Sequence, residues 1–445
     1  MLAPRIHIHK PCTLTKKNVL MKNRTYLLLV TVILLFGTSC SNQLDLYSHS
    51  AISPEKITES DLPALRLGMY NNMQNDPRAA NFILFDLLGG DLQTGANSSP
   101  INLITSILSP LNGTVVSGWN GYYSALYQVN NVMTIAQGLP ETATRNLTLG
   151  EAHYFRALNY YNLVTRWGDV PLLRNNSLEK PSRTPQAEVW SFIEEDLQEA
   201  RKYLNTSQSY YYVSIDAVTA LQARVFLTQG KHEQAAAMAE SLITSGKFAL
   251  DSFEKIFRKQ ANTEVIFAFE NISEESSINI SDLFYTYAHP NKGQGNYRIA
   301  PNTVNLFSAE DLRKPMTIVN IAGTDCVNKY PSGQTGKDPV IIARIAEMYL
   351  ISAEAQGFSK GLPRLNQLRI KRGLPALSVN NTEAFTEAIL KERQLELLGE
   401  NFRYYDLVRT EKAIQQLGIL PYQTLLPIPG GELLLNTNLK PNPGY

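Results

Sequence analysis

The side chains best suited to chemistry cluster in the stretch DLFYTYAHPNKGQGNYR, residues 282–298, where Phe284, Tyr285, Tyr287, His289, Asn291, Gln294 and Tyr297 share a loop broken by Gly and Pro. Flat rings can cover the C–H faces of a pyranose while amides and carboxylates hydrogen-bond its hydroxyls, so this assortment predicts a sugar-binding surface. A second stretch, DLLGGDLQTGANSS at 86–99, adds Asp86, Asp91, Gln93, Asn97 and Ser98. The set expected to touch ligand is Tyr285, Tyr287, His289, Asn291, Gln294, Tyr297, Asp91, Gln93 and Asn97. A tyrosine taken singly is more often a core anchor with one satisfied hydroxyl. As a cluster, at least one ring should face a ligand. The run YYY at 210–212 stays open between a packed cap and a binding surface.

Nothing in the chain spells out catalysis. A glycosidase needs two carboxylates about 5–9 Å apart, and no stretch here resembles a glycosidase signature. The six histidines form no HExxH, and the one HxH, at 7–9, lies far upstream. There is no GxSxG and no Gly-rich phosphate loop after a strand. The three cysteines, at 12, 40 and 326, make no CxxC, which argues against a disulfide framework or a structural zinc site. With 18% charged residues and a net charge of +1, no global field points to nucleic acid. The expectation is a binder, with no catalytic residues, no metal and no cofactor.

Location is written in LLLVTVILLFGTSCSNQ, residues 27–43. The apolar run 27–36 is too short for a bilayer, which takes roughly 20 residues. Lys22 and Arg24 precede it and Gly37, Thr38 and Ser39 follow, the layout of a secretory signal peptide. Met21 is a natural start for it, and residues 1–20 then read as an over-extended gene start. Cys40 either sits by chance beside a cleavage site or is the acylated N-terminus left by a lipobox, GTSC, with Gly37 where Leu is usual. Lipidation is the reading taken, because Cys40 is the one cysteine near the cut and a polar stretch follows it. At about 0.8 kcal/mol per buried CH₂, its acyl chains would hold a water-soluble body on a membrane.

Helices must position these loops. In EAHYFRALNYYNLVTRWGDVPLL, Tyr154, Ala157, Leu158, Tyr161 and Val164 recur at helical spacing, and Gly168 and Pro171 end the run. In ALQARVFLTQGKHEQAAAMAESLI, Ala223, Phe226, Gly230, Ala235 and Ala239 fall at the small and large positions of a tetratricopeptide unit. A degraded second copy begins at ARIAEMYLISAEAQ, and a third pairs 151–167 with 186–204. Such pairs are expected around 151–246 and 340–410, with loop-rich ligand segments around 77–115 and 271–340, in one body spanning 40–445 after a 1–39 signal. Trp119, Trp167 and Trp190 read as core. Arg393, Glu396, Glu400 and Arg403, at helical spacing with alternating sign, read as a salt-bridged helix surface.

Together, CSNQLDL, WNGYYSALYQVNNVM, EAHYFRALNYYNLVTRWGDVPLL, LNQLRIKRGLPAL, EAILKERQLELLGENFRYYDLVRT and the tail LLPIPGGELLLNTNLKPNPGY resemble, in this order, the SusD/RagB outer-membrane nutrient-uptake lipoproteins. The resemblance implies a mostly α fold: tetratricopeptide-like helix pairs packed against a loop-rich half with a few short strands. It implies a non-enzymatic lipoprotein anchored through Cys40 on the outer face of the outer membrane. There it would capture oligosaccharides and deliver them to a SusC-like TonB-dependent transporter. Two alternatives stay open: a peptide-binding member, and a gating subunit of the transporter without its own glycan site.

Overall fold

The computed structural model describes residues 57–95, 99–207, 209–272 and 278–445. Eight long helices carry the body: α1 (Leu62–Asn75), α2 (Gly113–Gln137), α3 (Ala143–Trp167), α4 (Gln186–Tyr203), α5 (Ile215–Thr228), α6 (His232–Ile243), α7 (Ile345–Lys371) and α8 (Thr382–Leu397). Their starts are locally encoded. Asn112, Thr142, Ser214 and Asn381 each turn a side-chain oxygen onto the free backbone N–H groups of the first turn. Gly230, at φ +69°, supplies the left-handed residue that folds α5 back into α6. Gly357, at φ +70°, kinks α7.

Each long helix packs on the next, α1 on α2 through to α7 on α8, with α5 also lying against α7. Close approach of α5 and α6 depends on small residues: Ala223, Ala235 and Ala239 are fully buried. The strands are few and short, in three antiparallel pairs: β1 (Leu92–Thr94) with β3 (Tyr297–Ile299), β2 (Val265–Phe269) with β6 (Val340–Arg344), and β4 (Ile318–Ile321) with β5 (Thr324–Val327). The mostly helical architecture matches the expectation. Trp119 and Trp167 are buried and meet edge to face at 5.2 Å, and Trp167 Nε1 donates to the Pro427 carbonyl at 3.0 Å. Trp190 is partly buried against Tyr161.

One expectation fails. Arg393, Glu396 and Glu400 do not form a helix surface, and only Arg403 is partly exposed. Glu396 is fully buried. It accepts from Arg344 Nη1 at 2.5 Å, Arg372 Nη2 at 2.8 Å and Arg313 Nη1 at 3.0 Å. Glu400 accepts from Lys329 Nζ at 2.6 Å and Arg344 Nε at 2.8 Å. Glu264 bridges Arg344 and Arg372, Glu392 bridges Arg313 and Arg369, and Asp311 holds the other edge of Arg313. The partners come from across the chain rather than from the next helical turn, which is why spacing misled. Arg393 likewise pairs with Asp406 at 2.7 Å.

Burial pushes the Glu396 carboxyl upward, but the charges of Arg372, Arg344 and Arg313 outweigh it and hold the group well below the usual carboxylate range. The same balance, against Arg344 and Lys329, lowers Glu400. Folded-state values below the unfolded ones mean that this stabilisation is present above about pH 4.3 and is lost as pH falls further. Removing one member leaves uncompensated charge in the interior, at a cost of about 3–5 kcal/mol. Urea denaturation of Glu396→Ala should therefore show a loss of that size at pH 7, and a difference from the parent protein that shrinks as the pH is lowered from about 4.3 towards 3. Equal midpoints at pH 7 would contradict the assignment.

Candidate functional site

The two loop segments expected to bind ligand are brought together by a ribbon. β1 and β3 pair with Leu92 opposite Ile299, Gln93 opposite Arg298 and Thr94 opposite Tyr297. Gly95 N–H extends the ladder by donating to the Asn296 carbonyl at 2.7 Å. Glycine is required here, because a Cβ on Gly95 would lie 1.8 Å from the Gly295 carbonyl oxygen. Side chains alternate along a strand. Leu92 and Ile299 therefore turn into the core, while Gln93 and Arg298 turn the opposite way. With its amide oriented to satisfy both groups, Gln93 accepts from Arg298 Nε at 3.0 Å and Nη2 at 3.2 Å. Arg298 is not among the expected residues, and its only signal was its place beside Tyr297 in a short alternating run.

The 285–297 loop is braced from below. Asn291 Nδ2 donates to the Pro331 carbonyl at 2.9 Å, and Gln334 N–H donates to the Asn291 carbonyl at 2.8 Å. Gln294 Nε2 donates to Asp282 Oδ2 at 2.5 Å. His289 Nδ1 accepts from Asn291 N–H at 3.0 Å, so a neutral ring carries its proton on Nε2, and desolvation lowers its pKa. Tyr287 is 66% exposed; Asn291 and Gln294 are exposed, while His289, Gln93 and Tyr297 are partly so. Burial raises the Tyr297 hydroxyl pKa, which keeps it protonated and able to donate.

Two expected ligand residues lie inside instead. Tyr285 is 1% exposed; its hydroxyl donates to Asn328 Oδ1 at 2.9 Å and its ring lies 4.2 Å from that of His289. It positions the loop rather than facing solvent. Asp91 is likewise 1% exposed, and its Oδ1 accepts from Gln394 Nε2 at 2.5 Å and Thr303 Oγ1 at 3.2 Å. Asp86, offered with it, is buried too and accepts from Gly399 N–H at 3.0 Å and Asn401 N–H at 2.8 Å. These carboxylates fasten the start of β1 to α8 and to the turn that follows it. Asn97 and Ser98 lie outside the described residues, as does Cys40. YYY divides: Tyr210 and Tyr211 are partly buried against a small apolar cluster, whereas Tyr212 is 50% exposed. Among the described residues, no group of three or more His, Cys, Asp or Glu could hold a metal ion.

A stack of helix pairs presenting a braced loop surface defines a tetratricopeptide-like scaffold protein. Comparison with known proteins agrees and goes further. Residues 317–424 match the model of the SusD family, and residues 43–227 match the related model described as starch-binding associating with outer membrane. SusD-like protein P38 of Formosa agariphila is 26% identical over 505 aligned positions, spanning 95% of this chain and 98% of that protein. A laminarin-binding SusD-like protein superposes with a TM-score of 0.76 at 24% identity, over 87% of this chain and 100% of that one. Surface glycan-binding protein A from Bacteroides thetaiotaomicron, solved with laminarihexaose, gives 0.75 at 20% identity over the same shares. This chain belongs to the SusD/RagB family.

Burial, followed by the nearby charge of Asp91, pushes the Asp86 carboxyl up to about 8. Burial pushes Asp91 up to about 6, against the charge of Arg403 and the hydrogen bonds from Gln394 and Thr303. A carboxyl raised on folding contributes stability that is fully present below its unfolded value, about 3.9, and is lost as pH rises through the folded value. The thermal midpoint should therefore fall between pH 5 and pH 9, and Asp86→Asn, neutral throughout, should flatten that fall. A midpoint independent of pH in the parent protein over this window would contradict the assignment.

Proposed function

We propose that this protein captures oligosaccharides on the loop surface around Tyr287 and hands them to a SusC-like TonB-dependent transporter, without chemical turnover. The observation that carries the reading is the pairing of β1 with β3. It places Gln93 and Arg298 together on the outward face of the ribbon, at the end of the loop that presents Tyr287, Asn291 and Gln294. An exposed ring next to several amides is the chemistry that covers a sugar face and binds its hydroxyls. The description of the N-terminal family model, and the laminarin and laminarihexaose named for two structural neighbours, support a saccharide as cargo.

In this reading binding is reversible: a ring stacks, amides grip the hydroxyls, and the ligand leaves as the protein closes on the barrel. Acyl chains on Cys40 hold the body at the outer membrane, facing the exterior. No helix among the described residues is long and apolar enough to cross a membrane, so the anchor would carry the attachment.

Calorimetry against a panel of glycans tests the cargo. Tyr287→Ala should weaken binding about tenfold, the loss of roughly 1.4 kcal/mol expected of one stacked ring. Peptide binding with no saccharide binding would overturn it. The anchor is tested separately: Cys40→Ser should abolish palmitate labelling and move the protein from the membrane to the soluble fraction. An unlabelled parent protein found free in the periplasm would refute the anchored reading.

A further inference from the structure

Among the described residues, a trough lies along one side of helix α1. Between α1, the C-terminal end of α4 and residues 205–207 and 212–213 is a hollow of about 930 Å³, lined by Arg66, Leu67, Asn205, Thr206 and Tyr212 among others. A second hollow of about 350 Å³ adjoins it. The two share Leu67, Tyr70 and Tyr212, and the second continues past Gly68, Asn71 and Tyr211. Ligand sites commonly span about 300–1,000 Å³, so the larger hollow alone is of ligand size. None of the described residues expected to bind sugar lines either hollow.

The lining is built rather than incidental. Tyr212 is half exposed, and its ring meets the buried ring of Tyr70 at 5.9 Å and 74°. Tyr70 is itself fixed, donating to Glu151 Oε1 at 2.8 Å and accepting from Val213 N–H at 2.8 Å. Leu67 stands 59% exposed on the same wall. The charges of the larger hollow are spent locally. Arg66 forks onto the buried Glu151 with both bonds at 2.6 Å, and Lys202 pairs with Glu199 at 2.5 Å. That leaves exposed rings, an aliphatic side chain, and the exposed amide and hydroxyl of Asn205 and Thr206.

Gly68 supplies an independent argument. Glycine inside a helix is costly relative to alanine, and it is usually retained where a side chain would collide with a neighbour. At Gly68 a Cβ would meet nothing within 4 Å among the described residues, so their packing does not require it. What a side chain there would do is project into the smaller hollow. Glycine keeps the trough clear.

We propose that this trough is a second ligand site, distinct from the loop surface, which receives a neutral oligosaccharide chain over Gly68 and against Tyr212 and Leu67, with Asn205 and Thr206 binding its hydroxyls. With the charges of the larger hollow paired, the exposed Glu270 in the lining of the smaller one disfavours an acidic ligand and offers a further acceptor for a sugar hydroxyl. A peptide added as an extra strand finds less purchase, because β2, the nearby strand, already pairs with β6 and with the Tyr210 carbonyl.

The test is calorimetry with a panel of neutral glucan hexasaccharides, including laminarihexaose, on the parent protein, Gly68→Trp, Tyr212→Ala and Tyr287→Ala. Gly68→Trp fills the trough from an open position, so it should keep the parent thermal midpoint while weakening at least one panel member tenfold or more. Tyr212→Ala should weaken the same member, whereas Tyr287→Ala should not. If Gly68→Trp binds every hexasaccharide as the parent does, the proposal is overturned; if Tyr287→Ala then abolishes binding, the loop surface stands alone. Loss through Gly68→Trp with no effect of Tyr287→Ala on any sugar would overturn the loop reading instead. A trough that binds a neutral peptide and no saccharide also defeats the proposal.

Discussion

A buried lattice of ion pairs at the end of α8 is the constraint on which the proposed binding surface around Tyr287 depends. Isolated charges do not survive in a protein interior; they persist only when each has a partner and its remaining hydrogen bonds are met. Here Glu264, Asp311, Glu392, Glu396 and Glu400 are matched by Arg313, Lys329, Arg344, Arg369 and Arg372, drawn from six separate stretches of chain. Meeting that demand fixes where those stretches lie relative to one another. Arg344 Nη2 and Lys329 Nζ also cap the Glu396 carbonyl, at 2.7 Å and 2.8 Å, which ties the lattice to the helix end itself.

From that helix end the restraint passes to both halves of the loop surface. The turn 397–401 donates Gly399 and Asn401 N–H groups to Asp86, seating the segment that leads into β1. Tyr330, next to Lys329, donates its hydroxyl to the Gly399 carbonyl at 2.8 Å, and its own carbonyl accepts from Ser281 Oγ. Ser281 Oγ in turn accepts from Gly333 N–H at 2.6 Å, and the turn starting there holds Asn291. Exposed residues such as Tyr287 can be aimed only because buried ones such as Tyr285, Asp86 and Asp91 are locked behind them. Rigid support beneath an exposed contact residue limits the ordering entropy that binding would otherwise cost.

What could be read in the sequence followed the reach of each signal. The helices were legible because apolar periodicity, capping residues and Gly230 act within a few positions, and Trp119 and Trp167 announced a core. The pairing of β1 with β3 was not, since its strands are three residues each and lie some 200 positions apart. Arg393, Glu396, Glu400 and Arg403 illustrate a sharper limit. Alternating charge at helical spacing has the same appearance whether its partners lie one turn away or at Arg313, Arg344 and Arg372. Composition likewise could not separate Tyr287, which is exposed, from Tyr285, which anchors the loop two positions earlier. Tyr212 divides from Tyr210 and Tyr211 in the same way, and only the packing tells them apart.

Hydrogen exchange in Glu400→Gln addresses the central claim most directly, because that change weakens the link between the lattice and the turn 397–401 without removing a side chain. Exchange should quicken together in residues 86–95 and 281–298, while helices α2 to α4 keep their parent protection. Unchanged protection in both loop segments, or loss spread evenly over the whole helical stack, would show that the buried charges do not support the binding surface in this way.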